Sequence, residues 1–246
     1  MNRQAVNPYL PSWEYIPDGE PHVFNGRVYV YGSHDRFNAP IFCVNDYVCW
    51  SAPVEDLSEW RYEGVIYRKK QDPKNPLGYH LLFAPDVCQG PDGRYYLYYA
   101  FDFLGIMSVA VCGTPAGEYK FLGHIHYADG TLWGRRRGDQ LPFDPGVLAD
   151  DDGRVWLYSG FYNAVPAILT GGHKLRCDGG TVLELEKDMV TKKTEPRVIF
   201  PKKGPGAFQG HEFFEASSIR KEGKTYIFVY SSRHNHELCY ATSQSP

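Results

Sequence analysis

Apolar and polar residues alternate over short stretches of this chain, and one arrangement of them occurs four times. In each copy a short apolar run leads into a polar turn with a glycine, and a run of alternating aromatic and β-branched residues follows. The clearest copy is 143–160, FDPGVLADDDGRVWLYSG. Two such runs around an Asp-Gly or Asn-Gly turn predict a β-hairpin. The other three copies are residues 18–32, 84–100 and 215–232.

The four hairpins recur at a long and fairly regular interval. Their turn glycines are 67, 60 and 70 residues apart, at Gly26, Gly93, Gly153 and Gly223. Repeats of several tens of residues that contain hairpins predict sheets packed as blades around an axis, which removes most exposed sheet edges. We expect outer strands to complete these blades, at 41–51, 60–67, 106–112, 119–123, 163–170, 181–185 and 237–242.

A carboxylate precedes each turn glycine by seven to nine residues. These carboxylates are Asp18, Asp86, Asp144 and Glu215. On the innermost strand of each blade they would converge at one end of the axis, where each would raise the pKa of its neighbours. Any one of them alone is also explained as a solvated turn residue. Four carboxylates at the same place in the repeated unit favour one shared pocket.

Composition narrows the choice of partners and compartment. Aromatic residues make up 15% of the chain, which favours strands and supplies stacking surfaces for sugars. A net charge of −3 argues against a nucleic acid or an anionic membrane as the main partner. The apolar runs are too short to cross a bilayer, and the first residues lack the apolar segment of a secretory signal. None of the six cysteines forms a CxxC pair, so we expect free thiols, no zinc and a cytoplasmic location.

Four segments together resemble glycoside hydrolase family 43. They read PDGEPHVFNGRVYVYGSHD, FAPDV, FDPGVLADDDGRVWLYSG and FFEASSIRKEGKTYIFVYSS, and the resemblance extends over about residues 7–242. It implies an all-β, five-bladed β-propeller, of which about four blades are present in this chain. It also implies an inverting glycoside hydrolase that acts on pentose-containing plant polysaccharides or oligosaccharides, as a β-xylosidase or an α-L-arabinofuranosidase. Oligosaccharides and aryl glycosides would be its substrates.

The resemblance also assigns roles to individual residues. Asp18 matches the general base, Asp144 the aspartate that raises the pKa of the acid, and Glu215 the general acid. Asp86 matches a pocket residue outside this trio. We expect three further substrate contacts, at Phe83, His34 and Phe214. Local alternatives remain open: Glu20 for the base and Glu212 for the acid.

The chemistry of inversion requires residues of these types. One carboxylate activates water, and a protonated carboxylic acid protonates the leaving oxygen, with roughly 6.5–9.5 Å between the two groups. A third carboxylate close to the acid keeps that acid protonated near neutral pH through like-charge repulsion.

This sequence departs from the family pattern at three places. The family often has EGP at the acid, where this chain has Glu215-Ala216-Ser217, and the proline that follows the first aspartate comes only at Pro21. The fifth blade has no counterpart, so we expect one catalytic domain over residues 1–246 that is truncated at its C-terminus. No cofactor or metal is predicted, since the histidine that binds a central calcium ion in many members belongs to that blade.

Two other functions remain open at this stage. A fructan-cleaving relative would also use three acids, but its NDPN and EC motifs are absent. A catalytically inactive, carbohydrate-binding propeller would need aromatic and hydrogen-bonding groups, but no acid with a raised pKa. The sugar, the choice between exo and endo action and the oligomeric state are not decided by the sequence.

Overall fold

The computed structural model describes residues 7–246, which form four antiparallel sheets. In each sheet, consecutive strands pair as a meander. These are the blades of an all-β propeller, as predicted. Blade 1 consists of β1 Glu20–Phe24, β2 Arg27–Tyr31, β3 Tyr47–Pro53 and β4 Arg61–Tyr67, and blade 2 of β5 Asp86–Gln89, β6 Tyr95–Ala100, β7 Met107–Cys112 and β8 Lys120–His124. Blade 3 consists of β9 Gly146–Ala149, β10 Val155–Phe161, β11 Gly179–Leu185 and β12 Arg197–Pro201. Blade 4 consists of β13 Phe213–Glu222, β14 Thr225–Ser232 and β15 Leu238–Ser243. A short 3₁₀ helix, Lys69–Gln71, follows blade 1.

The predicted hairpin turns are confirmed by their backbone geometry. All four turn glycines have positive φ angles, between 58° and 81°. L side chains rarely adopt this left-handed region, so glycine lets the first strand of each blade reverse tightly into the second. The four positions are Gly26, Gly93, Gly153 and Gly223.

Apolar residues from neighbouring blades form three packed clusters. The first joins blades 1 and 2 and includes Tyr47 and Tyr99. The second joins blades 2 and 3 and includes Tyr98 and Leu157. A third cluster joins blades 3 and 4, where Phe200 packs against other aromatic rings. Burying these large side chains between the sheets fixes the order of the blades around the axis.

Blade 4 meets blade 1 through polar contacts instead. Ser218 donates a 2.8 Å hydrogen bond to Glu20, and Arg220 also binds that carboxylate. Among the residues that the structure describes, no apolar cluster contains strand residues of both blades. On the same side, Leu238 and Tyr240 of β15 are 83% and 74% exposed.

Two predicted outer strands differ from the structure, and one observed strand was not predicted. Residues 41–46 form bends, and β3 begins only at Tyr47. Residues 163–170 form turns, because Pro166 cannot donate to a strand ladder, and Ile168 is 85% exposed. The fourth strand of blade 3 lies instead at Arg197–Pro201, a segment that the sequence analysis did not identify.

Candidate active site

Three of the four acids in register lie where the chain enters an innermost strand. Asp18 and Asp144 each precede their strand by two residues, with positive φ angles of 54° and 46°. Aspartate tolerates this left-handed region better than most residues do. Glu215 is the third residue of β13, at a place where the pairing with β14 shifts register. These positions bring all three carboxylates to one end of the propeller.

The three carboxylates line one cavity of about 140 Å³. Its remaining wall is mainly aromatic and contains Phe42, Phe83, Phe103 and Phe143. Asp18 and Asp144 also border a larger adjoining space of about 450 Å³, which reaches Leu238 on the open side of blade 4. The arrangement combines a small aromatic pocket with a wider approach to it.

Two hydrogen bonds fix the aspartates. Ser33 Oγ donates to Asp18 Oδ2 over 3.1 Å, and the Ala216 amide donates to Asp144 Oδ2 over 3.1 Å. The second bond requires β9 to lie very close to β13. Gly146 permits this, since a Cβ there would come within 2.5 Å of the Ser217 carbonyl oxygen.

The pocket changes the acidity of all three groups. Burial, helped by the charge of Asp18, raises the pKa of Glu215 to about 7. Burial also raises the pKa of Asp18, against the Ser33 hydrogen bond, which lowers it. The pKa of Asp144 lies well above its usual range, because the group is buried beside Glu215 and Asp18. This environment favours the protonated form of Asp144.

The alternative acid, Glu212, has the opposite electrostatics. Its carboxylate contacts His234 Nε2 at 3.0 Å. Backbone hydrogen bonds and this histidine lower the pKa of Glu212. A carboxyl group of that kind is ionised at neutral pH and is a poor proton donor. Glu215 is the acid that the geometry favours.

The alternative base, Glu20, borders the larger space but is already bound. Ser218 and Arg220 both donate to its carboxylate. Burial and the charge of Asp86 raise the pKa of Glu20. Asp18 accepts a single side-chain hydrogen bond and lines both spaces. It therefore has the freer carboxylate for activating a water.

Asp86 does not lie in the pocket, contrary to the prediction of a substrate contact. Its side chain is fully buried. Its two oxygens contact His22 Nε2 at 2.6 Å and accept from the Val87 and Val147 amides at 2.7 and 2.6 Å. Asp86 therefore joins the innermost strands of blades 1, 2 and 3. Its partners leave its carboxylate no access to a sugar.

His34 also lies outside the residues that line the pocket. Its Nδ1 contacts the Asp46 carbonyl oxygen at 2.9 Å, and its Nε2 contacts Glu14 Oε1 at 3.0 Å. Glu14 also accepts a 2.7 Å hydrogen bond from Trp50 Nε1. With both ring nitrogens engaged, His34 holds the segment that precedes blade 1 against that blade, and the expected sugar contact is not supported.

Of the two predicted aromatic contacts, Phe83 lines the pocket and Phe214 lies beside it. The Phe214 ring packs 5.4 Å from Phe161 and 4.8 Å from His236. His236 Nδ1 is 3.9 Å from Glu215 Oε1. The sequence analysis found no motif for this histidine, because its turn becomes adjacent to the acid only when β14 and β15 pair.

The sequence also gave no indication of Phe42 and Phe103 as pocket residues, or of Ser33 as the partner of Asp18. Phe42 and Phe103 lie on loops that follow second strands, which end on the same side as the acids. The one signal for them in the sequence is their place after the second strand of a blade. Phe103, for example, follows β6 by three residues.

The structure brings together one group of donors that a metal could use near the axis. Ligand atoms of Glu20, His22 and Asp86 lie within 4.8 Å of one another. His22 and Asp86 already contact each other, and Arg220 already neutralises Glu20. These residues therefore fit a protein-internal polar network better than a cation site.

Comparisons with known proteins identify the family of this chain. The model of the glycosyl hydrolases family 43 matches residues 17–246. A "Xylosidase/arabinosidase" of Thermoclostridium stercorarium is 60% identical over 250 residues, which cover 100% of this chain and 51% of the relative. One from Bacteroides ovatus is 30% identical, over 97% of this chain and 77% of that protein. The chain thus spans about half the length of the first of these relatives.

Solved structures show the same fold. A family 43 β-xylosidase/α-arabinofuranosidase from a compost microbial metagenome, in complex with xylotriose, superposes with a TM-score of 0.71. It is 26% identical, and the match covers 99% of this chain and 78% of that one. The chain belongs to glycosyl hydrolases family 43.

Proposed function

We propose that this chain carries the catalytic site of an inverting glycoside hydrolase that acts on pentose-containing oligosaccharides. The observation that carries the proposal is the state of Glu215. Burial and the nearby charge of Asp18 raise the pKa of Glu215 to about 7, and it lines the same cavity as Asp18 and Asp144. A catalytic acid works best with a pKa close to the working pH.

The roles follow from the protonation states. Glu215 is protonated below pH 7 and donates its proton to the oxygen of the leaving group. Asp18, ionised and held by Ser33, removes a proton from the attacking water. Attack by water on the face opposite the leaving group inverts the anomeric carbon.

Asp144 acts as a neutral carboxylic acid in this scheme. Burial, together with the charges of Glu215 and Asp18, raises the pKa of Asp144 well above its usual range, which favours the protonated form. Its Oδ2 accepts from the Ala216 amide, so its proton is free to bond a sugar hydroxyl. The burial that Asp144 shares with Glu215 keeps water away from the acid and supports the same raised pKa.

The sugar class is supported by the wall of the pocket and by the relatives. Four phenylalanines border the small cavity, and such rings suit the apolar face of a compact sugar. The two curated relatives bear the name xylosidase/arabinosidase, and the metagenomic neighbour was solved with xylotriose. We therefore propose a β-xylosidase or an α-L-arabinofuranosidase, with oligosaccharides or aryl glycosides as substrates.

A panel of nitrophenyl pentosides tests this function. We expect hydrolysis of the β-D-xyloside, the α-L-arabinofuranoside or both, with proton NMR showing the inverted anomer as the first product. Binding of xylo-oligosaccharides without hydrolysis would indicate the inactive, carbohydrate-binding alternative. Hydrolysis of fructans alone would indicate the fructan-cleaving alternative.

We further propose that the reaction needs no cofactor and takes place in a reducing, cytoplasmic compartment. The structure describes all six cysteines as free thiols. Burial raises the pKa of Cys43, in the pocket wall, to about 12, so its thiol is not reactive at neutral pH. Titration of six thiols without reductant supports this location, and clearly fewer would contradict it. In the described residues, no helix is long and apolar enough to cross a membrane.

A further inference from the structure

Three residues meet beside the segment that carries Glu215: Tyr162, Lys202 and Arg233, which we name the Tyr162 platform. Each of them directly follows a strand: β10, β12 and β14 respectively. These three strands run in the same direction, antiparallel to their neighbours, and end on the side where Asp144 enters β9. The platform therefore lies at the same end of blades 3 and 4 as the three acids.

Two positive charges meet at the tyrosine ring. Lys202 Nζ lies 5.0 Å from the ring centroid, and Arg233 Cζ lies 4.9 Å from it. Lys202 Nζ also donates to the Tyr162 carbonyl oxygen over 2.9 Å. Cation–π attraction holds both cations at the ring. The hydrogen bond additionally anchors Lys202.

Backbone contact places the platform next to the acid. The Tyr162 amide donates a 2.9 Å hydrogen bond to the carbonyl oxygen of Phe214, the residue before Glu215. The Tyr162 and Phe214 rings are 6.4 Å apart. The Glu215 side chain is 27% exposed, whereas Asp144 is buried. Glu215 is thus the more accessible of these two acids, and the Tyr162 platform lies beside it along the chain entering β13.

The two cations lack anionic partners within the described part of the chain. Neither Lys202 nor Arg233 lies within 4.0 Å of a carboxylate there. Three other acids at this end of blades 3 and 4 are already paired with other residues. These pairs are Glu212 with His234, Glu237 with His211 and Asp178 with Arg176.

We propose that the Tyr162 platform binds the carboxylate of an acidic sugar on the leaving-group side of the substrate, so that the enzyme prefers oligosaccharides that carry a uronic acid. Two like charges at one ring repel each other, and an anion between them relieves this repulsion. Arginine presents a planar fork that matches a carboxylate, and lysine adds a second charge. This inference rests on the proposed function.

The test compares two matched substrates. The first is a xylo-oligosaccharide with a glucuronic acid substituent, and the second is the same molecule with its carboxyl group reduced to an alcohol. We expect a higher kcat/KM for the acidic form, and a difference that shrinks as salt screens the charges. Arg233→Gln and Lys202→Gln should each reduce the preference about two- to fivefold, as expected for exposed ion pairs. Their kcat/KM for the reduced form should not change.

Lys224→Gln is the matched control. Lys224 is an exposed lysine in the β13–β14 turn, at the opposite end of the blade. It should leave the preference intact. Equal kcat/KM for the two wild-type substrates would overturn the inference, and so would a loss of preference in the control.

Calorimetric binding of both oligosaccharides separates this inference from the proposed function. If the wild type hydrolyses no glycoside, the proposed function fails. Tighter binding of the acidic form, lost in Arg233→Gln, would still support the platform. Equal binding of both forms, or none, would overturn it.

Discussion

The Ser33 hydroxyl group donates a 3.1 Å hydrogen bond to Oδ2 of Asp18, the proposed general base. Ser33 is fully buried and lies two residues beyond the end of β2, so its position is set by the sheet. The bond orients one oxygen of Asp18 and favours its ionised form. It lowers the pKa of Asp18, against the increase that burial causes.

Ser33→Ala should therefore weaken the base in a pH-dependent way. Without the bond, the pKa of Asp18 rises further, and the acidic limb of the kcat/KM profile should move up by about one pH unit. The matched control is Ser51→Ala, which removes a buried hydroxyl that binds Arg27, away from the pocket. It should reduce stability without moving the limb. A shift of the same size in both variants would show that Ser33 acts only through folding.

The pKa of Glu215 should depend on Asp18 more than on Asp144. Burial is the main cause of its rise to about 7, and the charge of Asp18 is the second. Asp18→Asn removes that charge, so carbon-13 NMR titration should show a lower pKa for Glu215. The charge of Asp144 is not among the causes of this rise, so Asp144→Asn should change the pKa of Glu215 much less. A larger shift in Asp144→Asn would restore the role that family resemblance gives to that aspartate.

The raised pKa of Glu215 should also make stability depend on pH. Its unfolded value is 4.5 and its folded value about 7, so the unfolded chain releases this proton first. The wild type then loses stability as pH rises from about 4.5 to 7, and no more above that range. Glu215→Gln abolishes this loss. Relative to wild type, the variant should gain about 3 kcal/mol between pH 4 and pH 8, measured by urea unfolding. A difference independent of pH would contradict the raised pKa.

Asp86→Ala should damage the fold rather than substrate recognition. The change removes the carboxylate that joins three blades and leaves the amides of Val87 and Val147 without this acceptor. We expect a loss of at least about 3 kcal/mol in the free energy of unfolding, since buried charged hydrogen bonds are costly to break. The KM of the folded fraction should remain close to that of the wild type. A large increase in KM with unchanged stability would return Asp86 to the pocket.

The sequence predicted the blades and the family, but not which of the four acids enter the pocket. The hairpin turns are local, so turn chemistry and alternation were enough to find them. Asp86 precedes its turn glycine by seven residues, and the other three acids by eight or nine. It is consequently already paired within β5, opposite Tyr98. Asp18 and Asp144 instead precede their strands and lie outside the ladder, where their side chains can face the pocket.

The residues around the pocket could not be predicted from sequence patterns, for a related reason. His34 resembles a pocket residue by its place after β2, yet its nitrogens bind Glu14 and Asp46. Tyr162 and His236 meet Phe214 only after blades 3 and 4 pack together. Contacts between loops of different blades leave no periodic signal in a single chain.

The central claim is that Glu215 donates the proton to the leaving group, and the dependence of the rate on the leaving group tests it most directly. Glu215→Gln keeps the shape of the side chain but removes the donor. The loss of kcat/KM should be about 10²–10⁴-fold on an oligosaccharide or an alkyl pentoside, because the leaving group of these substrates must be protonated. An activated aryl pentoside needs little protonation and should lose far less.

There are two matched controls. Glu212→Gln should retain most of its activity on both substrates. Asp18→Asn should lose activity on both substrates alike, because the attacking water must be activated whatever the leaving group. The decisive measurement is the ratio of kcat/KM between the two substrates in Glu215→Gln. The account predicts a ratio that rises at least tenfold in favour of the aryl substrate. An unchanged ratio in Glu215→Gln, with a raised ratio in Glu212→Gln, would contradict it.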